Sequence, residues 1–279
     1  MITTRLYGGL GNNLFQLSNV YALHKEFGVD YCIPTWAERG GTPQSYGQRA
    51  ELEFSELFEN KFNYCNDDCH FVHGFTNHDE ALHSTDFAFK PVMFLDNCRY
   101  SGYYQSEKYF RGVDIKNEFI LNREMINKVK PLLGTKPTIS LHYRLGGDRI
   151  SPQMQHYHKT VSIDFYIKAL QTILPDQSKD HQIFLFSDRM QEAGDLIKPL
   201  LGEYNITAVE WGSDNNVGEF IFMSLCDHNI LGNSTYSWWA AYMNRNINKI
   251  VVAPKSEWFG PGYKHFNLND AFPESWITL

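Results

Sequence analysis

Long apolar segments are missing from this 279-residue chain. No stretch approaches the roughly 20 consecutive apolar residues that a membrane helix needs. The opening MITTRLYGGLGNN also has no apolar run behind a basic start, so neither a leader nor an anchor is expected, and the cytoplasm is the default location. Cysteine is scarce. Cys32, Cys65, Cys69, Cys98 and Cys226 are odd in number and widely spaced, which fits reduced thiols better than a disulfide framework. The sequons at Asn205 and Asn233 are therefore expected to carry no glycan. With 11 Pro and 20 Gly against 43% hydrophobic residues, disorder and fibrous repeats are excluded. Positive charge is in deficit too: 25 Lys and Arg face 32 Asp and Glu, a formal charge of -7. A broadly basic face for nucleic acid is excluded, and a phosphate ligand would need a local cationic pocket.

Three further absences bear on chemistry. The turn Gly8-Gly9-Leu10-Gly11-Asn12 has Leu14 where a dinucleotide fingerprint has its third glycine, and no Walker lysine follows it. No Asp-x-Asp pair occurs anywhere, so the paired carboxylates that hold a divalent metal against a diphosphate are lacking and no metal site is expected. Cys65, Cys69, His70 and His73 match no common zinc spacing. Aromatic residues are plentiful, with 20 Phe, 16 Tyr and 6 Trp. They suit stacking on sugar faces or bases and ordinary cores alike.

The chain begins as strand, glycine turn and helix: Ile2 to Tyr7, then the turn, then Leu14, Leu17, Tyr21 and His24 at helical spacing up to Gly28. From about Pro34 to Asp79 no clean period is visible, as in long excursions that shape binding clefts. From Arg123 onward the alternation is regular. Helices are expected near 123–133, 162–174, 188 onward, 217–226 and 236–244, with strands at 138–143, 183–186, 206–209, 228–231 and 249–253. Gln191 is placed for a capping box with Asp188. This pattern predicts an α/β protein with mostly parallel sheets, in two halves covering 1–135 and 136–279.

In such sheets ligands bind outside the carboxyl ends of the strands, and the residues there are unusually polar. Gly9 and Gly11 let backbone amides approach an anion. The run LHYRLGGDR places His142, Arg144 and Asp148 after a buried strand, and the planar fork of Arg144 suits a diphosphate. A structural Arg/Asp ion pair is the competing reading. Asp188, in FSDR, could accept from a purine edge or ribose hydroxyls, or simply cap a helix. In GNSTYSWW, Asn233, Ser234, Thr235 and Ser237 stand at a helix start that could either receive phosphate or do no more than cap. Trp238 and Trp239 read as packing residues, and His156 and His158 as loop residues open to an acceptor.

Taken in order, GGLGNNLFQ, GYYQSEKYF, LHYRLGGD, FSD, MSLCDHNILGNSTYSWWAAYMN and PKSEWF resemble the fucosyltransferases of glycosyltransferase family 11. The resemblance spans most of the chain. It implies a GT-B-like pair of Rossmann-type domains, the first mainly on the acceptor side and the second binding the nucleotide sugar. It implies GDP-fucose as donor, a glycan acceptor (a galactoside joined through an α-1,2 linkage), inversion at the sugar carbon and no metal or other cofactor. It further implies that Arg144 meets the diphosphate, Asp188 the nucleoside and the Ser234 to Ser237 helix start a phosphate, and that Asn12 approaches the donor. Asp148 is the expected base, with His142 as the alternative. The chain departs from the family pattern at Leu145, where a second Arg is expected, and at Gly146-Gly147, which adds a residue before Asp148. Transfer from another GDP-sugar, another fucosyl linkage and a non-catalytic glycan-binding protein are the rival readings.

Overall fold

The computed structural model describes residues 1–38, 49–65, 76–79, 87–147, 151–175, 179–200, 204–211 and 216–279. They form two compact units, one of Met1–Arg123 with Phe266–Pro273, the other of Glu124–His265 with Glu274–Leu279.

The first unit carries β1 (Ile2–Thr4), β2 (Tyr31–Cys32), β3 (Thr76–Asp79) and β4 (Cys98–Ser101), all parallel, in the order β2-β1-β4-β3. Helix α1 (Leu10–Phe27) links β1 to β2 and ends on Gly28, whose φ of 65° lets its N–H reach the His24 carbonyl. Its apolar spacing predicted one buried stripe, yet the polar Asn13, Gln16, Ser18 and Asn19 are buried as well. Helices α2 (Ala50–Leu57) and α3 (Ile115–Glu118) complete this unit, with Tyr21 of α1 donating to Glu118 at 2.7 Å. The strands β2 and β4 gave no sequence signal because segments of two and four residues are too short to show a period.

One expectation is corrected here: Cys32 and Cys65 form a disulfide, their Cα atoms 5.3 Å apart. The backbone sets them side by side, since Ile33 donates to Asn63 and Cys65 donates back to Ile33. Cys98 and Cys226 are free and buried. Cys69, His70 and His73 lie outside the described residues.

The second unit begins with α4 (Arg123–Leu133), its first residue aside, and continues with β5 (Thr138–His142), α5 (Pro152–Gln155), α6 (Ile163–Ile173), β6 (Gln182–Phe186), α7 (Met190–Ile197), β7 (Ile206–Ala208), α8 (Asn216–Leu225), β8 (His228–Ile230), α9 (Thr235–Met243), β9 (Val251–Ala253) and β10 (Ile277–Thr278). Its six parallel strands run β10-β9-β8-β5-β6-β7. Alternation along β5 divides its faces. Ile139 and Leu141, continued by Tyr143 and Leu145, enter a core with Phe165, Leu170 and Ile173 of α6 and Ala193 and Ile197 of α7. On the opposite face Phe184 and Phe186 meet Phe222 of α8 with ring centroids 4.8 and 5.4 Å apart. Ser140 there accepts from the buried Asn229 amide at 2.7 Å, and Asn244 donates to the Asn229 carbonyl at 2.9 Å. Among the described residues no helix is long and apolar enough to cross a membrane.

Candidate active site

Strand order reverses direction between β1 and β4 in the first unit and between β5 and β8 in the second. A doubly wound sheet opens a crevice at such a point, beyond the carboxyl ends of the two strands. Most of the polar motifs found in the sequence follow these four strands.

At the end of β5 the alternation that sends Tyr143 and Leu145 to the core leaves His142 and Arg144 on the other face. His142 is buried, with its ring 5.9 Å from Tyr236, while the Arg144 side chain stays 34% exposed. The pattern explains the departure at position 145. The side chain there is 8% exposed within the core, so apolar Leu fits where a guanidinium would lose its hydration.

Asp188 follows β6 and closes this loop instead of capping α7. Its Oδ1 accepts from the N–H groups of Leu145 and Gly146 at 2.8 and 3.0 Å, and its Oδ2 lies 4.0 Å from Arg144 Nε. The expected capping box at α7 is absent: Arg189 holds the cap position and makes no side-chain cap bond. Partial burial works against ionisation of Asp188, but the two backbone donors and the charges of His142 and Arg144 outweigh it and hold the carboxyl below the usual range. The glycine pair is a steric requirement. A Cβ on Gly146 would stand 2.9 Å from Asp188 Oδ2, and Gly147 has a φ of 65° with Arg144 Nη2 beside it. Asp148 lies outside the described residues.

Beyond β8, Gly232 passes so close to β5 that a Cβ would meet the His142 carbonyl oxygen at 2.9 Å. Ser234 caps α9 by accepting from Tyr236 N–H at 3.3 Å. Asn233 donates to the carbonyls of Lys159 and Trp258 at 2.7 and 3.2 Å, which ties two neighbouring loops to the helix start. Ser237 bonds back to the Gly232 and Ser234 carbonyls. Of the four residues predicted here, Asn233 and Ser237 thus brace the backbone, Ser234 caps, and Thr235 is the half-exposed one. Trp238 and Trp239 are both buried, as expected of packing residues, and Trp238 stacks on Tyr242 with centroids 5.1 Å apart.

In the first unit the glycine turn opens α1. Gly9 caps it without a side-chain bond, and Gln16 grips the turn through both backbone groups of Tyr7. Gly8 has a φ of 83°, and Asn12 accepts from Gln105 Nε2 at 2.9 Å.

Sequence reasoning missed Glu219. It is the only charged residue of the largely apolar α8, and that isolation was the available signal. Burial, reinforced by the charge of Asp188 and only partly offset by an N–H from Trp211, pushes its carboxyl up to about 7. Near neutral pH it can therefore donate as well as accept a hydrogen bond. The neighbouring Gly218 makes room for the Trp211 indole, with which a Cβ there would collide. Among the described residues no group of three or more His, Cys, Asp or Glu is gathered as a metal site.

Two Rossmann-type units with polar switch points, one of them offering a guanidinium beside a helix start, define a GT-B-like glycosyltransferase. The family model described as glycosyl transferase family 11 matches residues 1–279, and the chain belongs to that family. It is 26% identical to the O-antigen biosynthesis glycosyltransferase WbnK of Escherichia coli, covering 98% of this chain and 99% of that protein. It is 22% identical to an alpha-1,2-colitosyltransferase of Escherichia coli, covering 100% and 99% respectively. In fold it is similar to NodZ alpha-1,6-fucosyltransferase soaked with GDP-fucose, with a TM-score of 0.53, 14% identity and coverage of 93% of this chain and 96% of that one. The fucosyltransferase NodZ from Bradyrhizobium and POFUT1 in complex with GDP give TM-scores of 0.51 and 0.52 at 14% and 13% identity, covering 87% and 88% of this chain and 92% and 94% of theirs.

Proposed function

We propose that the protein transfers L-fucose from GDP-fucose to a sugar hydroxyl with inversion, forming an α-1,2 linkage to a galactoside. The observation that carries this reading is the placement of Arg144 and the α9 start directly after adjacent strands at the β5–β8 switch point, where a nucleoside diphosphate has a guanidinium and the N-terminal end of a helix to meet. Membership of family 11 supports it, as do the names of the relatives and of the fold neighbours determined with GDP or GDP-fucose.

In this reading the second unit receives the donor, and Gly9, Gly11 and Asn12, in the glycine turn of the first unit, are proposed as donor contacts. The acceptor oxygen attacks the anomeric carbon from the face opposite the diphosphate. One carbon–oxygen bond forms as the bond to GDP breaks, the hydroxyl proton passes to a base, and the β-linked donor yields an α-linked product. Charge growing on the leaving diphosphate falls to Arg144 and the α9 amides; one such fixed donor is worth about 3 kcal/mol of barrier. Asp148 is proposed as the base, with His142 as the alternative in the same segment. Asp188 contributes by pinning the Arg144 loop, and Glu219 beside it offers a second carboxyl for the nucleoside. Charge balance is assigned to cationic and amide groups and to no divalent ion, because the sequence lacks an Asp-x-Asp pair.

Incubation of the purified protein with GDP-fucose and a panel of galactosides, with and without chelator, tests the reading. Product is expected in both arms, with its linkage fixed by NMR. No turnover of GDP-fucose would refute it. The colitosyltransferase relative favours one second reading, transfer of a related deoxysugar from its nucleotide. Turnover of that donor in preference to GDP-fucose would select it.

A further inference from the structure

Gln105 follows β4 and Asn12 follows β1, so they face each other across the switch point of the first unit. Gln105 Nε2 donates to Asn12 Oδ1 at 2.9 Å. The amide group of Asn12 lies against Gly8, where a Cβ would stand 2.4 Å from Nδ2, so a side chain at residue 8 would displace it. The residue before Gln105 is unusual as well. Tyr104 is a bulky residue held at a φ of 49°, with its ring almost fully buried. Its carbonyl accepts from Ser106 N–H at 2.8 Å, and the buried Ser106 in turn accepts from Lys108 N–H at the start of the helical turn 107–110. Backbone of this kind persists only where its surroundings enforce it, and it tends to gather at functional sites. Here the enforced turn aims Gln105.

We propose that Gln105 is a positioning residue for the transfer reaction: it engages the carbonyl of the Asn12 carboxamide, so that the NH2 end is presented to an oxygen of the substrate, a phosphate oxygen or a sugar hydroxyl. The proposal rests on the reading of Asn12 as a substrate contact. Its physical content is polarity. A carboxamide carries a donor and an acceptor at nearly the same position, and only a neighbour that distinguishes them makes one orientation persist. A glutamine that donates to Oδ1 does this. A glutamate, which can only accept, would turn the amide round and set a carbonyl against the substrate oxygen.

The test is a double-mutant cycle read as kcat/KM for GDP-fucose, with thermal melts on every variant. Asn12→Ala is expected to lose about 100-fold, the scale of one fixed hydrogen-bond donor. Gln105→Glu should lose about as much, and Gln105→Met, which leaves the amide unconstrained, roughly tenfold; in the Asn12→Ala background both should cost less than about twofold, because the group they orient is gone. Equal costs in the two backgrounds would show a merely structural role and overturn the proposal while leaving the transferase reading intact. Full activity in Gln105→Glu would overturn it too. Full activity in Asn12→Ala would remove Asn12 from the substrate site and the proposal with it, and lack of GDP-fucose turnover by the unmodified protein would remove the transferase reading itself. If Gln105→Glu does not fold, the Gln105→Met arm of the cycle decides by the same comparison.

Discussion

Substituting Gln for Glu219 isolates one titration in the second unit. The folded protein holds this carboxyl at about 7 against an ordinary value of 4.5, chiefly through burial and then through the negative charge of Asp188. Between those two values the native state therefore keeps a proton that the unfolded chain releases, so stability from this group is complete below pH 4.5 and is lost as pH rises through 7. At about 1.4 kcal/mol for each tenfold change in proton affinity, the loss has a ceiling of about 3 kcal/mol. Glutamine keeps an oxygen for the Trp211 N–H and places an uncharged NH2 where Glu219 would carry charge, so the variant should lack this decline. Asp188 does not confuse the window, because its pKa is held down and its own contribution disappears only at lower pH. Burial lowers the pKa of His228, which makes stability rise with pH near 6, but both proteins share that trend. The assay is urea unfolding followed by circular dichroism at half-unit steps from pH 4.5 to 8. The difference between wild type and Glu219→Gln should grow by about 2–3 kcal/mol in favour of the variant. Parallel stability curves would refute the buried, near-neutral carboxyl.

Arg144→Ala should lower turnover at least about 100-fold with a melting temperature within about 2 °C of wild type, since a partly exposed side chain contributes little to folding; near-normal kinetics would remove Arg144 from the mechanism. Leu145→Arg, which restores the residue usual in the family, should destabilise by about 2–4 kcal/mol because it drives a guanidinium into the α6 core, and an unchanged denaturation midpoint would show that the loop can turn outward. Gly232→Ala places a methyl against the backbone of His142 and should cost about 1–3 kcal/mol in stability and most of the activity, whereas a fully active, equally stable variant would mean that β5 and β8 can move apart.

How much of this was legible beforehand follows from element length. In the second unit β6, β7 and β8 alternate with the helices α6, α7, α8 and α9, each of eight or more residues, so the βα alternation was visible, including a helix starting near Ser162, which caps it by accepting from Phe165. In the first unit β2 and β4 are held by neighbours in space and by no pattern of their own. The Cys32–Cys65 pairing depends on that same spatial adjacency, which explains why counting thiols missed it. At the site, the motifs fall at the carboxyl ends of strands, but the sequence does not show the division of labour within them. Asn233 and Ser237 look like phosphate ligands in sequence, yet their side chains bond to backbone. Asp188 reads as a nucleoside acceptor or a helix cap, and in the fold its partners include amides 42 and 43 residues away. Leu145 looked like a defect in a motif until the alternation through 139, 141, 143 and 145 showed which way it points.

The amide relay from Asn244 through Asn229 to Ser140 acts as an alignment key between the central strands. Ser140 and Asn229 are direct cross-strand partners, so a slip of β8 by a single residue would break the buried bond from Asn229 to Ser140. Hydrocarbon at these three positions would fill the same space yet tolerate neighbouring alignments. The polar version admits one, and that one carries Gly232 to within a methyl's width of His142 and fixes the α9 start beside the guanidinium loop.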